Sequence, residues 1–328
     1  MNRPTVLIEA RPLCDFDPSA LEKLTAAPLA VVDMRGKGMA DPSFGQALQA
    51  ADIVVCGNDL MVDEAMFGRA PRLKAVAKMG AGLDTVDVAA ATARRILVFH
   101  TPGVNNQAVA DHTFALILCV ARQILLCDRS LRNGRWEHTK IMGLEIWEKT
   151  LGLLGLGAIG RCVALRAKGF NMKVVAYDPH WPEGFAREHG IEPMGLDEVL
   201  KIADIVSLHL PLTEQTRNLI DRRALSLMRP GALLVNAARG GVVNEQDLFE
   251  ALQSRRLAGA GLDVFAKEPP GDSPLLTLDN VVLTPHTAAF THEAMNKMNH
   301  AIVDQILAWA RGEKPTHSVN AQIWPNPH

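Results

Sequence analysis

Three residues in the C-terminal half follow short apolar runs, and each has a side chain suited to a different part of one reaction. Arg239 comes just after Ala232–Asn236, in Ala237-Ala238-Arg239-Gly240-Gly241. A guanidinium at such a strand end can bind a carboxylate through two parallel hydrogen bonds. Glu268 lies in Gly261-Leu262-Asp263-Val264-Phe265-Ala266-Lys267-Glu268-Pro269, shortly after another apolar stretch. His286 ends a third, in Thr284-Pro285-His286-Thr287-Ala288. Imidazole titrates near neutral pH and can give or take a proton, and a neighbouring carboxylate fixes its tautomer and favours its charged form. Interconverting an alcohol and a ketone requires these parts when a cofactor carries the hydride. Singly, each residue has a plainer reading: Arg239 as a surface ion-pair member, Glu268 as a solvated acid, His286 as a satisfied core histidine.

A hydride cofactor needs a binding element, and the stretch from Thr150 to Asp178 supplies one. The apolar run Leu151–Leu154 leads into Gly155-Leu156-Gly157-Ala158-Ile159-Gly160. A helical segment to about Lys168 and a second apolar run, Met172–Tyr177, follow, ending on Asp178. Gly155 permits the tight turn, Gly157 lets backbone N–H groups approach a pyrophosphate, and Gly160 lets helix and strand pack closely. The helix N-terminus then holds the phosphates. The alternative is an ordinary strand–helix–strand crossover. Asp178, 23 residues after Gly155, would accept hydrogen bonds from the adenosine ribose and repel the 2′-phosphate of NADP, so NAD is the expected cofactor. A turn residue before Pro179 is the plainer reading of the same acid.

Strands and helices alternate on both sides of this unit. Strands are expected at Val6–Glu9, Ala30–Val32, Ile53–Cys56, Leu73–Ala77 and Ile96–Phe99 in the first 100 residues. Asp17-Pro18 and Asp41-Pro42 each place a capping acid before a proline at the first helical position. Such alternation predicts an α/β fold with largely parallel sheets. Lys78-Met79-Gly80-Ala81-Gly82 ends a strand, and reads equally as an anion-binding turn or a plain one. Thr101-Pro102-Gly103 suggests a domain border. Gln107–Cys127 reads as one long apolar helix, either an interface or a core element. A long closing helix is expected at Thr291–Ala310, able to return to the first domain.

The bulk composition narrows the field. Of 328 residues, 48% are hydrophobic and 21% charged, as in soluble globular proteins. The net charge of −2 gives no basic surface for nucleic acid. No apolar run is long enough to span a bilayer, and no secretory leader is evident. Cys14, Cys56, Cys119, Cys127 and Cys162 are scattered without a C-x-x-C pair, which suggests reduced thiols in the cytoplasm and no metal site.

The chain resembles the D-isomer-specific 2-hydroxyacid dehydrogenases over nearly its whole length. The resemblance rests on GLGAIGR at Gly155–Arg161, SLHLPLTEQT at Ser207–Thr216 and VNAARGGVVNEQDL at Val235–Leu248. GLDVFAKEP at Gly261–Pro269 and LTPHTAAFT at Leu283–Thr291 complete it. It implies two doubly wound parallel-sheet domains with the active site in the cleft. One would be a flavodoxin-like substrate domain, 1–101 plus 290–328; the other a Rossmann NAD domain, 102–289, carrying a dimerisation helix. Arg239, Glu268 and His286 would be the catalytic set, with Glu268 orienting His286 and Arg239 binding the substrate carboxylate. Lys78–Gly82 would be the substrate-carboxylate loop. Ala158, Ile159, Pro179, His209, Pro211, Thr216, Ala237 and Asp263 would join the glycines, Asp178, Arg239 and His286 around the cofactor, Asp263 at the nicotinamide carboxamide.

Within the family the chain is most like the phosphoglycerate dehydrogenase branch, with departures. Lys78 replaces that branch's loop arginine and Thr85 its asparagine, leaving both a phosphoglycerate-like substrate and hydroxypyruvate or glyoxylate open. The regulatory extension of some phosphoglycerate dehydrogenases is expected to be absent. Tyr177 is the only tyrosine, so the pocket lacks the tyrosine that D-lactate dehydrogenases tend to use, and formate dehydrogenases lack a match to Glu268. A homodimer is expected. The alternative of another class is an NAD-sensing corepressor of the same fold, which keeps much of the catalytic set and binds short peptides.

Overall fold

Runs such as Ile53–Cys56 and Leu233–Asn236 are too short for helices and apolar at nearly every position, the pattern of strands covered on both faces. The computed structural model describes residues 3–324 apart from Pro12 and Phe16; residues 325–328, assigned above to the first domain, lie outside the described residues. The chain divides into two compact units, Met1–Asn105 with Phe290–His328, and Asn106–Ala289.

The first unit alternates β1 (Thr5–Ile8), α1 (Ser19–Thr25), β2 (Ala30–Asp33), α2 (Pro42–Ala50), β3 (Ile53–Cys56), α3 (Glu64–Gly68), β4 (Ala75–Lys78), α4 (Val88–Ala93) and β5 (Leu97–His100). Its sheet is parallel with strand order β2-β1-β3-β4-β5, the flavodoxin-like order. Successive side chains feed opposite faces: Val6, Ile8, Ile53 and Val55 enter one apolar cluster, Leu7 and Val54 the other. Asp41 caps α2 as its sequence suggests, accepting from Ser43 N–H at 2.8 Å. At α1 the proline itself takes the cap position and the helix starts one residue later, while Asp17 accepts from Ser19 N–H.

The second unit opens with α5 (Asn106–Ala121) and α6 (Ile124–Arg132). The single helix expected over Gln107–Cys127 is therefore broken, with a bend of 61°. The break is at Gln123, whose φ is 52°. A returning segment causes it: Leu144 N–H takes the Ala121 carbonyl at 2.6 Å, and Gln123 Nε2 donates to Met142 O. Gly143 permits the approach, since a Cβ there would lie 2.9 Å from Ala121 O. No single helix among the described residues is long and apolar enough to cross a membrane.

The unit continues through β6 (Thr150–Leu154), α7 (Ala158–Gly169), β7 (Lys173–Tyr177), α8 (Glu183–His189), β8 (Glu192–Pro193), α9 (Leu196–Ile202), β9 (Ile205–Leu208), α10 (Arg222–Leu227), β10 (Leu233–Asn236), α11 (Glu245–Gln253), β11 (Gly259–Leu262) and β12 (Val281–Leu283). Strand order is β12-β11-β10-β9-β6-β7-β8, all parallel. The order reverses at β6, so the switch point where open α/β sheets bind ligands falls at Gly155. The pattern gave no sign of β8, which is two exposed residues. The last helix, α12 (His292–Ala310), returns to the first unit. Its buried face, Met295, Met298, Ile302, Val303, Ile306 and Trp309, repeats every three or four residues and joins Val6, Ile8 and Ile53.

Candidate active site

The turn after β6 is held by backbone contacts that only glycine allows. Gly155 has φ 103°, and a Cβ on it would meet His209 O at 2.5 Å. A Cβ on Gly160 would lie 2.2 Å from Gly155 O. Gly157 differs: it is exposed, it caps α7 with no side-chain hydrogen bond, and a Cβ there would meet nothing within 4 Å. The first turn of α7, with Ala158 exposed and Ile159 half-buried, thus offers its unpaired N–H groups outward. Asp178 accepts from Leu156 N–H at 2.6 Å and His180 N–H at 2.7 Å, so it orders this turn as well as ending β7. Each carboxylate oxygen has acceptor capacity left for a ribose hydroxyl. Pro179 beside it is exposed. These residues fit a dinucleotide.

The neighbouring loops complete that end of the sheet. His209 Nε2 is 3.0 Å from Ser207 Oγ, its Nδ1 is buried without a partner in the described residues, and burial pushes its pKa down to about 4. The Thr216 hydroxyl donates to Pro211 O and accepts from Thr213 N–H at 2.7 Å, closing the loop after β9.

Glu268 and His286 meet directly. Glu268 Oε2 is 2.7 Å from His286 Nδ1, and Oε1 accepts from Phe265 N–H at 3.1 Å. Burial works against the Glu268 carboxylate, but the His286 and Phe265 bonds outweigh it and hold its pKa below the ordinary glutamate value. With Nδ1 engaged, Nε2 is the ring nitrogen left for proton transfer. His286 has φ 52°, an uncommon conformation for a residue with a side chain.

Arg239 stands on the next loop, with Nη1 donating to Ala238 O. Asn236 fixes the loop at both ends: its Oδ1 accepts from Ala238 N–H and its Nδ2 donates to Arg239 O. Ala237 is buried between them. The loop touches the Glu268 segment at Gly240, where a Cβ would lie 1.9 Å from the Phe265 carbonyl carbon. Gly240 therefore serves close approach, not the flexibility that a Gly-Gly pair suggests. Glu245, at the start of α11, also ties down that segment by accepting from Ala266 N–H. Glu245 did not stand out in the sequence and the close approach at Gly240 could not be read there, because both act through a loop distant in the chain.

Asp263 is 0% exposed. Its Oδ1 accepts from Thr284 Oγ1 at 2.6 Å and Thr287 N–H at 2.8 Å, and its Oδ2 from Ala288 N–H at 2.9 Å. His112 Nε2 is 3.4 Å from Oδ1. Burial raises the Asp263 pKa, but these donors more than reverse that and leave it lowered.

In the first unit, Lys78 ends β4 with 1% exposure, and its Nζ donates to Asn58 Oδ1 at 2.6 Å and Met79 O at 3.2 Å. Met79 is buried beside it. Gly80 has φ 102° and its N–H donates to Thr101 Oγ1 at 2.9 Å. His100 Nδ1 is 3.0 Å from Ala81 O, so the end of β5 pins both sides of the turn before Gly82.

A glycine turn at a Rossmann switch point, with a carboxylate–imidazole pair on the loops after β11 and β12 of the same sheet, is the arrangement of a nicotinamide-dependent oxidoreductase. Known proteins place it more finely. Residues 114–288 match the model of the D-isomer specific 2-hydroxyacid dehydrogenase, NAD binding domain. A glyoxylate reductase of Korarchaeum cryptofilum is 43% identical over 267 residues, 80% of each chain. A D-3-phosphoglycerate dehydrogenase of Methanocaldococcus jannaschii is 40% identical over 284 residues, 86% of this chain but 54% of that one, so the chain spans about half the length of that relative. The structure of D-lactate dehydrogenase from Aquifex aeolicus, complexed with NAD and lactic acid, superposes with a TM-score of 0.85 at 29% identity, covering 96% and 99% of the two chains. The chain belongs to the D-isomer-specific 2-hydroxyacid dehydrogenases. It is an NAD-dependent oxidoreductase acting on CH–OH groups.

Proposed function

We propose that this enzyme interconverts a small, unphosphorylated D-2-hydroxy acid and its 2-keto acid, with glyoxylate or hydroxypyruvate as the preferred keto acid. The 2.7 Å Glu268–His286 pair carries the reading. NAD supplies or accepts the hydride when bound. In reduction, His286 gives the Nε2 proton to the keto oxygen, and in oxidation takes it back. Glu268 holds the ring by Nδ1, which leaves Nε2 for the substrate oxygen. Arg239 binds the substrate carboxylate and polarises the ketone. The Ala81 and Gly82 amides of the Lys78–Gly82 loop assist with the carboxylate, since the Gly80 N–H is committed to Thr101. Asp263, without exposed surface, is assigned to holding the His286 turn in preference to touching the nicotinamide carboxamide. Asp178 selects NAD over NADP.

Lys78 supports an unphosphorylated substrate. Its ammonium is buried and already serves Asn58 and the Met79 carbonyl, which suits it poorly to a phosphate arriving from solvent. An NADH-oxidation panel with glyoxylate, hydroxypyruvate, phosphohydroxypyruvate and pyruvate tests this. A kcat/KM for phosphohydroxypyruvate above that for hydroxypyruvate would refute the substrate assignment. We also assign a homodimer built on the region from Ile124 to Trp147, where Trp136 is 77% and Met142 81% exposed. The five cysteines, none paired, suit a reducing compartment such as the cytoplasm.

A further inference from the structure

We propose that His112 and Thr284 are positioning residues: His112, on α5, acts through the Thr284 hydroxyl to hold Asp263, and with it the turn that carries His286. The proposal rests on the reading of His286 as the acid/base.

The proton inventory gives the direction of the chain. Thr284 Oγ1 is 2.6 Å from Asp263 Oδ1 and 2.9 Å from His112 Nε2. A hydroxyl has one proton, and an ionised carboxylate can only accept. The Thr284 proton therefore goes to Asp263, and Thr284 Oγ1, at 2.9 Å a nearer acceptor for His112 Nε2 than Asp263 Oδ1 at 3.4 Å, accepts from His112. That requires the proton on His112 Nε2. Asp263 passes this order on, because its carboxylate accepts from Thr287 and Ala288 N–H and its carbonyl from His286 N–H at 2.7 Å. The left-handed His286 backbone is thus fixed from both sides of the ring's own residue, while Glu268 fixes the ring.

Helix and strand geometry explains how a residue of α5 reaches this point. His112, Leu116 and Val120 are spaced by four along the helix, on one face. Gly259, Gly261 and Asp263 are spaced by two along β11 and just beyond it, also on one face. Four helical residues rise about 6 Å, and two strand residues about 6.6 Å. The two repeats therefore stay in step. A Cβ on Gly259 would lie 2.6 Å from Val120 Cγ1, and one on Gly261 2.9 Å from Leu116 Cβ. The two glycines let α5 sit close enough for the third pair in the series, His112 with Asp263, to come within reach.

The test is a double-mutant cycle on turnover, with His112→Ala, Thr284→Val and the pair, alongside NADH affinity by fluorescence. Each single change should lower kcat about tenfold, the effect of one lost buried hydrogen bond. The pair should lose about as much as either alone, because both cut one chain. NADH affinity should stay within about twofold, because the glycine turn holds most of the dinucleotide. His112→Gln, which keeps an N–H donor, and Thr284→Ser should recover most of the turnover. Losses that multiply in the pair, or wild-type turnover in His112→Ala, would overturn the proposal. If His112→Ala does not fold, Thr284→Ser against Thr284→Val decides it: equal turnover overturns the relay. His286→Ala in the same assay separates the two readings. If it is active, the acid/base assignment is wrong; if it is inactive while the His112 and Thr284 variants behave as wild type, only the relay is wrong.

Discussion

His286 is constrained twice, by Glu268 at the ring and by Asp263 at the backbone, and the two constraints do different work. Removing the ring removes the proton donor proposed above, so His286→Ala should lower turnover by roughly 10²–10⁴-fold with NADH affinity nearly unchanged in a fluorescence titration. Glu268→Gln keeps a side chain in place without the charge that pairs with the ring and should lower kcat while NADH affinity stays near wild type, read in the same two assays. His209 makes a separate prediction about stability. Its pKa lies near 4 in the folded chain, below the 6.5 of a free histidine. Between those values the unfolded chain binds more protons, so stability falls as pH drops from about 6.5 to 4. The loss is up to about 3 kcal/mol. Denaturation at pH 7.5 and 4.5 should show it, and His209→Asn should flatten the difference. An equal slope in that variant would assign the acid sensitivity to other groups.

At the scale of elements, the three glycines of the β6–α7 turn are not equivalent. Gly157→Ala meets no atom of the protein, so melting temperature should stay near wild type while NADH binding weakens, because the new methyl would stand where the dinucleotide phosphates are expected to approach. Gly160→Ala would press on Gly155 O and should lower both stability and NADH binding. Gly240→Ala should be the most damaging for catalysis relative to cofactor binding. It drives the Arg239 loop and the Glu268 segment apart, at a cost of about 1–3 kcal/mol or more. Thermal melts beside kcat and NADH titrations separate these outcomes. Similar stability in Gly157→Ala and Gly160→Ala would contradict the contacts described.

For the whole molecule, the exposed apolar residues of α6 and the segment after it are the feature that a single chain leaves unexplained. Leu131, Trp136, Met142 and Trp147 are all more than half exposed. Replacing Trp136 and Met142 with glutamate should shift the mass measured by light scattering from two chains to one while the circular dichroism spectrum is kept. A monomeric wild type would end the dimer assignment.

Much of this was legible from residue order. Strands buried on both faces are apolar at nearly every position, so β1, β3 and β10 could be read within a residue or so. The glycine spacing and the acid after β7 marked the dinucleotide turn, and the residues at the ends of β10, β11 and β12 marked the chemistry. Local order could not show that α5 breaks at Gln123, because the cause is a carbonyl taken by Leu144, 23 residues from Ala121. Nor could it show why Gly240 must be glycine or that His112 belongs with Asp263, 151 residues later. Residue types and short-range periodicity determined most of the elements, and the ordered motifs carried the resemblance to the family and pointed to the candidate reacting groups. Which of those groups touch, and what holds them in place, was decided only where separate strands and helices come together, because close approach and hydrogen-bond direction depend on neighbours that are remote in the chain.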